Sequence, residues 1–194
     1  MKTTYNEIFL RKQILTNIPT QMEGRKVSPS TATSLLLMRI AYQKKSDEFE
    51  ETVRKALDEL KKEERFKDFD KLSEEQEQAT AILARKKAHD EWNGENERPV
   101  APSDEELAKA EAAKEKEADF RKVYSELAAR YNEARMKQAA LETTIEVQQL
   151  SRAELEDIVG VVGYEGTIAL TGMGGDVQQE PRMSFLSMVA NYLV

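Results

Sequence analysis

The 194-residue sequence contains no cysteine, one histidine and one tryptophan. Without cysteine there is no disulfide framework, no thiolate zinc site, no iron-sulfur cluster and no cysteine nucleophile. The one histidine, His89, excludes a multi-histidine metal site, and a Ser-His-Asp arrangement would have to be built on that side chain alone. Long apolar runs are also missing: none comes near the roughly 20 residues needed to cross a bilayer. The N-terminus, Met1 to Glu7, has no basic region leading into an apolar stretch and a cleavage site. Neither a membrane span nor a secretion signal is expected.

What the chain has in abundance is charge. Charged residues are 34% of it against 40% hydrophobic and 7% aromatic, with a formal net charge of -7. That balance suits helices with long solvated faces. The acidic excess argues against general binding to nucleic acid, which needs a basic face to neutralise phosphates. The length suffices for one domain with a core of ordinary size.

Periodicity predicts a mainly α protein. Tyr5, Ile8, Phe9, Leu10, Ile14, Leu15 and Ile18 give a helix of about three turns that Pro19 stops, inside an N-terminal arm of residues 1–29. From Ser30, Leu35, Met38, Tyr42, Phe49, Val53, Leu57 and Leu60 recur at helical spacing, with mixed charges on the other faces. Ser73 with Gln76 fits a capping box that restarts the helix after a bend near residues 67–73, and Asn93-Gly94 stops it. Ser103 with Glu106 opens the return helix. There Phe120, Tyr124, Leu127, Tyr131, Ala134, Gln138 and Leu141 step by four and three, the seam of a helix packed lengthwise on another. Residues 108–118, rich in Ala, Glu and Lys, are expected to face solvent or to lie distal. Two long amphipathic helices joined by a polar loop fold most simply as an antiparallel hairpin. Its tip would lie near residues 93–103, its base near residues 31–42 and 136–141.

After Leu141 the composition changes. Residues 143–150 read as a strand, with Ile145 and Val147 alternating with polar neighbours. Ser151 with Glu154 caps a helix of about two turns through Ile158. Val161, Val162, Tyr164 and Thr167 to Leu170, interrupted by Gly163 and Gly166, suggest a short hairpin or paired edge strands. The C-terminal stretch is almost uncharged, and Phe185, Leu186, Met188, Val189, Tyr192 and Leu193 must be covered by something. Burial in a protein interface is preferred over burial in the chain's own core. A membrane-surface helix is disfavoured because the segment lacks a basic face.

Few residues suggest chemistry. Gly172-Met173-Gly174-Gly175-Asp176 resembles a phosphate loop only in its glycines, since Val177 to Pro181 do not open a helix. His89, Asp90 and Glu91 point about 100° apart on a helix and cannot converge on one metal. The adjacent acid pairs Glu63-Glu64, Glu74-Glu75 and Glu105-Glu106 lack contrasted environments for acid/base work. The cationic clusters Lys44-Lys45 and Arg85-Lys86-Lys87 are flanked by acids and lack interleaved aromatics. Trp92, beside the helix end, is read as a cap on the hairpin tip, with a partner-binding role as the alternative.

Ala41-Tyr42 stands early on a long helix, Phe49-Glu50-Glu51 follows with a charged continuation, and after a variable tip and a return helix come Ile145-Glu146-Val147, Leu150-Ser151 and Glu154-Leu155. This order of features resembles a family of small uncharacterised proteins encoded by tailed bacteriophages. The resemblance spans residues 30–158 and implies a helical hairpin with a small β element. It also implies a virion component or assembly factor, located in the virion or the host cytoplasm, and carries no catalytic residues.

The expected fold is mainly α: a long antiparallel helical hairpin (30–141) after an N-terminal arm (1–29), a small α/β element (142–170) and an apolar C-terminal arm (171–194). The expected function is that of a non-enzymatic structural or assembly subunit, without cofactor or metal, whose partners are copies of itself and other virion proteins. Neither nucleic acid nor membrane is an expected partner. The expected interface residues are Trp92, Phe185, Leu186, Met188, Val189, Tyr192 and Leu193. The alternative is a phage-encoded inhibitor or adaptor that binds a host protein through the acidic hairpin.

Overall fold

Thr4, Ser103 and Ser151 each stand three residues before a glutamate, and each pair closes a capping box in the computed structural model. The hydroxyl accepts the glutamate's backbone N–H while the carboxylate accepts the N–H of the capping residue, so two orphan donors are satisfied at once. The Ser103 and Ser151 boxes start helices where the sequence places them. Ser73 does not: it lies inside a helix that begins at Phe69.

The structure describes residues 1–94, 97–172 and 175–194. In chain order the elements are β1 (Lys2–Thr4), α1 (Tyr5–Asn17), β2 (Gln21–Met22), β3 (Arg25–Lys26), α2 (Pro29–Lys61), α3 (Phe69–Asp90) and α4 (Asp104–Glu115). There follow α5 (Glu117–Ala140), β4 (Glu142–Thr144), α6 (Arg152–Val162), β5 (Thr167–Thr171), β6 (Val177–Pro181) and α7 (Arg182–Leu193). The fold is mainly α with small antiparallel strand pairs. Two units divide the chain, residues 1–52 with 136–194, and residues 53–135.

In the first unit the N-terminal segment is part of the core and not a separate arm. β1 pairs antiparallel with β4, Thr3 opposite Thr143, and Ile8, Leu15 and Ile18 of the following segment are almost completely buried. The Phe49 ring of α2 packs edge-on against Phe9 at 4.8 Å and tilted against Tyr5 at 5.2 Å. Arg39 donates from Nε and Nη2 to the Leu15 carbonyl, at 3.1 and 2.8 Å, and from Nη2 to that of Ile18 at 2.9 Å. The Leu15 carbonyl, which also accepts the Ile18 N–H at 3.4 Å, and the Ile18 carbonyl at the end of α1 are thereby served from α2.

The strand expected over residues 143–150 forms only at Glu142–Thr144, because its partner β1 is three residues long. α6 runs past Ile158 to Val162, so Val161 and Val162 are buried helix residues and not strand residues. Gly163, at φ 71°, ends that helix in a backbone region that disfavours side chains. The glycine-bounded hairpin consists of β5 and β6, with Ala169 opposite Gln179. Asn17 pairs with the β5 backbone, its Nδ2 donating to the Thr171 carbonyl at 3.0 Å and its Oδ1 accepting the Thr171 N–H at 2.7 Å. Arg182 donates to the Val162 carbonyl at 2.9 Å, to the Thr167 carbonyl at 3.2 Å and to Glu23 at 2.5 Å.

In the second unit α3 and α4 run antiparallel, as the Arg85–Glu106 pair at 2.6 Å and the hydrogen bond from Gln76 Nε2 to the Ala113 carbonyl at 2.6 Å show. Their contact is built on Ala79, Ala110 and Ala113, with Ile82 and Leu83 packed against it. The expectation that residues 108–118 face solvent is therefore corrected for Ala110 and Ala113: small side chains let the two helices approach closely. The restart after α2 falls at residues 62–68, where Phe66 is buried beneath the Arg130 guanidinium, which also pairs with Glu63. The seam on α5 is uneven. Leu127 is buried and Tyr131 half-buried, but Tyr124 is exposed while stacking on Phe69, and Leu141 lies past the helix end. Residues 95 and 96 of the expected tip lie outside the described residues.

Candidate interaction surface

The expected docking residues of the C-terminus are on α7, and most of them face inward. Phe185, Val189 and Leu193 are completely buried and Leu186 nearly so, while Met188 and Tyr192 are half-buried. The Leu150 N–H donates to the Leu193 carbonyl at 2.7 Å. An apolar C-terminal arm free to dock on a neighbour is therefore corrected to a core helix of the first unit. The uncharged run is explained by burial in the chain's own interior, the choice the sequence reading disfavoured.

Trp92 lies just beyond α3 and is 42% exposed, with the Arg98 guanidinium over its ring at 5.7 Å. Close by, His89 Nδ1 is 2.7 Å from the Pro99 carbonyl, a contact that pins the chain after α3 and engages one ring nitrogen. Among the described residues no group of three or more His, Asp or Glu converges on a metal position. Within the Gly172–Asp176 motif, Met173 and Gly174 lie outside the described residues. Gly172 and Asp176 close the turn between β5 and β6, the Gly172 N–H donating to the Asp176 carbonyl at 2.8 Å.

Two polar clusters in the first unit have structural tasks. Ser28 accepts the Thr31 N–H at the start of α2, and Asp157 of α6 accepts the Ser28 N–H at 2.7 Å. Hydrogen bonds from the Thr31 hydroxyl and the Ser28 N–H hold the Asp157 carboxyl below its ordinary pKa. Glu154 is lowered likewise, first by the Ser34 hydroxyl and then by the Ser151 N–H and hydroxyl. Both carboxylates clasp α6 to α2, and both are shifted in the same direction, so the contrast that acid/base chemistry needs is absent from this pair. Lys12 Nζ donates to Ser46 at 3.0 Å and joins α1 to α2, with Ser46 buried.

An exposed apolar arc lies instead on α2. Leu36, Leu37 and Ile40 are 55%, 61% and 57% exposed and occupy one arc of about 100° on the helix. Leu35, Met38 and Tyr42 face the core from the other side. Beside the arc a cleft of about 300 Å³ is lined by Leu37, Met38 and Ala41 from α2 and by Glu146, Val147 and Gln148 from the segment after β4. No family model, curated protein or solved structure matches the chain.

Sequence reasoning missed the α2 arc because it followed the buried stripe alone. The available signal was that Leu35, Leu36, Leu37, Met38 and Ile40 together are too many for one core-facing stripe, so an amphipathic helix must leave part of them outside.

Proposed function

We propose that the chain is a non-enzymatic structural or assembly protein that binds other protein subunits, its own copies among them, through the apolar arc of α2. The setting proposed is that of the resemblance, a component or assembly factor of a tailed-bacteriophage virion. The observation that carries the reading is the exposure of Leu36, Leu37 and Ile40 together. Three large aliphatic side chains in water on one arc stand out on a chain that is 34% charged. Clustered exposed apolar side chains mark interaction sites, whereas scattered single ones do not.

The test is the native mass by light scattering of the intact chain and of a Leu37→Glu, Ile40→Glu variant. Both positions are exposed, so the variant is expected to keep its helical circular dichroism. An oligomer that the variant reduces to a monomer supports the reading. An intact chain that remains monomeric at every concentration removes self-assembly from it.

A second reading, an inhibitor or adaptor that binds a host protein through the acidic hairpin, draws on Trp92 and Arg98 near the end of α3. Trp and Arg are enriched among residues that dominate binding energies. Its test is capture of host proteins by the intact chain and by Trp92→Ala; equal capture by both removes it.

A further inference from the structure

We infer that the second copy binds by antiparallel strand addition along residues 146–149, in a two-fold arrangement centred on Val147. The inference rests on the assembly reading above and specifies its joint.

The β1–β4 ladder ends with an exchange between Met1 and Ile145: the Ile145 N–H donates to the Met1 carbonyl at 3.0 Å, and the Met1 amine to the Ile145 carbonyl at 2.9 Å. Beyond that pair, Glu146, Val147, Gln148 and Gln149 belong to no helix or strand and make no hydrogen bond among the described residues. Glu146, Gln148 and Gln149 are exposed and Val147 is half-buried. The residue types are those of a strand, and what the segment lacks is a partner. Unpaired backbone groups along a strand edge are a template for adding another strand.

Register follows from parity. Ile145 directs its backbone groups toward β1; with the segment extended, the alternation turns those of Glu146 and Gln148 to the opposite edge, which is open from Glu146 until Leu150, whose N–H is taken by the Leu193 carbonyl. A two-fold axis through Val147 then sets Glu146 opposite Gln148 of the second copy, and Gln148 opposite its Glu146. Each of the two pairs can exchange both backbone hydrogen bonds, and the two Val147 side chains meet at the close, non-hydrogen-bonded position. A single self-complementary patch of this kind closes a dimer.

Charge favours this place and this register. Copies carrying a net -7 each repel one another, yet residues 143–150 hold one charged side chain, Glu146, and Leu36, Leu37 and Ile40 are uncharged. The Val147-centred register sets that carboxylate against an amide; centring on Glu146 would oppose two carboxylates. The cleft shared by Leu37 and Val147 makes the apolar arc continuous with the strand edge, so one approach covers both.

The experiment compares the mass of the intact chain with that of Gln148→Pro and Gln149→Pro, each checked by circular dichroism. Proline at 148 removes a donor aimed at the second copy, whereas at 149 it removes one aimed away. The expected result is a dimer for the intact chain and Gln149→Pro and a monomer for Gln148→Pro, all with the same helical content. Hydrogen exchange on the intact chain gives the same answer without a variant. The Glu146 and Gln148 amides are protected at dimeric concentrations and exchange freely on dilution. An intact dimer that survives Gln148→Pro, or whose Glu146 and Gln148 amides stay unprotected, overturns strand addition and leaves assembly through α2 standing. A chain that is monomeric throughout overturns both.

Discussion

The Leu150 N–H donates to the carbonyl of Leu193 at 2.7 Å, tying the chain before α6 to the last turn of α7. With Phe185, Val189 and Leu193 fully buried, α7 is a structural wall of the first unit. Phe185→Ala is expected to cost about 3–5 kcal/mol of stability, the usual range for emptying an aromatic site in a core. Truncation after Gly160 is expected to unfold that unit, because it removes all three side chains together. Urea denaturation followed by circular dichroism measures both, and a truncated chain that unfolds like the intact one contradicts the placement of α7.

Arg39 serves α1 from α2 through its three hydrogen bonds to the Leu15 and Ile18 carbonyls. Arg39→Met keeps most of the apolar stem and removes all three hydrogen bonds, leaving the Leu15 carbonyl only the Ile18 N–H at 3.4 Å. The expected loss is about 1–3 kcal/mol, measured by the urea midpoint. Arg39→Lys is expected to recover only part of it, since an ammonium cannot reproduce the planar fork. A midpoint unchanged in Arg39→Met would contradict this role.

Acid is expected to loosen the clasp between α6 and α2. Hydrogen bonds hold the Glu154 and Asp157 carboxyls below their ordinary pKa values in the folded state, so the unfolded chain takes up protons first as pH falls. Their contribution is fully present above the unfolded values, about 4.3 for Glu and 3.9 for Asp, and is lost as pH falls through the lower folded values. A chain carrying Glu154→Gln and Asp157→Asn is less stable at neutral pH and loses less on acidification. Parallel curves of urea midpoint against pH for the two proteins would contradict the clasp.

Ala110 and Ala113 permit α3 and α4 to lie close together in the second unit. Ala110→Leu adds bulk where the native side chain is 1% exposed and is expected to cost about 1–3 kcal/mol by overpacking. Ala112→Leu, one position from the contact and exposed, is the control and stays within about 0.5 kcal/mol. Equal effects of the two substitutions would contradict the alanine contact.

The helical character was legible because Leu35, Met38, Tyr42 and Phe49 keep one face apolar over several turns and the Ser103 and Ser151 caps are local signals. The Ala110 and Ala113 contact was not, since alanine-rich helix reads alike in water and against another helix. The strand after Leu141 was legible in residue type, but its length was set by β1, whose pairing lies 140 positions away at Thr3 and Thr143. The burial of α7 was not legible for a related reason. An uncharged C-terminal segment and an exposed apolar arc are both demands for cover, and only the three-dimensional arrangement reveals that α7 has its cover while Leu36, Leu37 and Ile40 do not.

The most direct test of assembly through the α2 face is the mass of the intact chain by light scattering, from low to high micromolar concentration. The account predicts a defined species of twice the 22.1 kDa chain mass that dissociates on dilution. A mass of one chain over the whole range, from a folded protein, would contradict it.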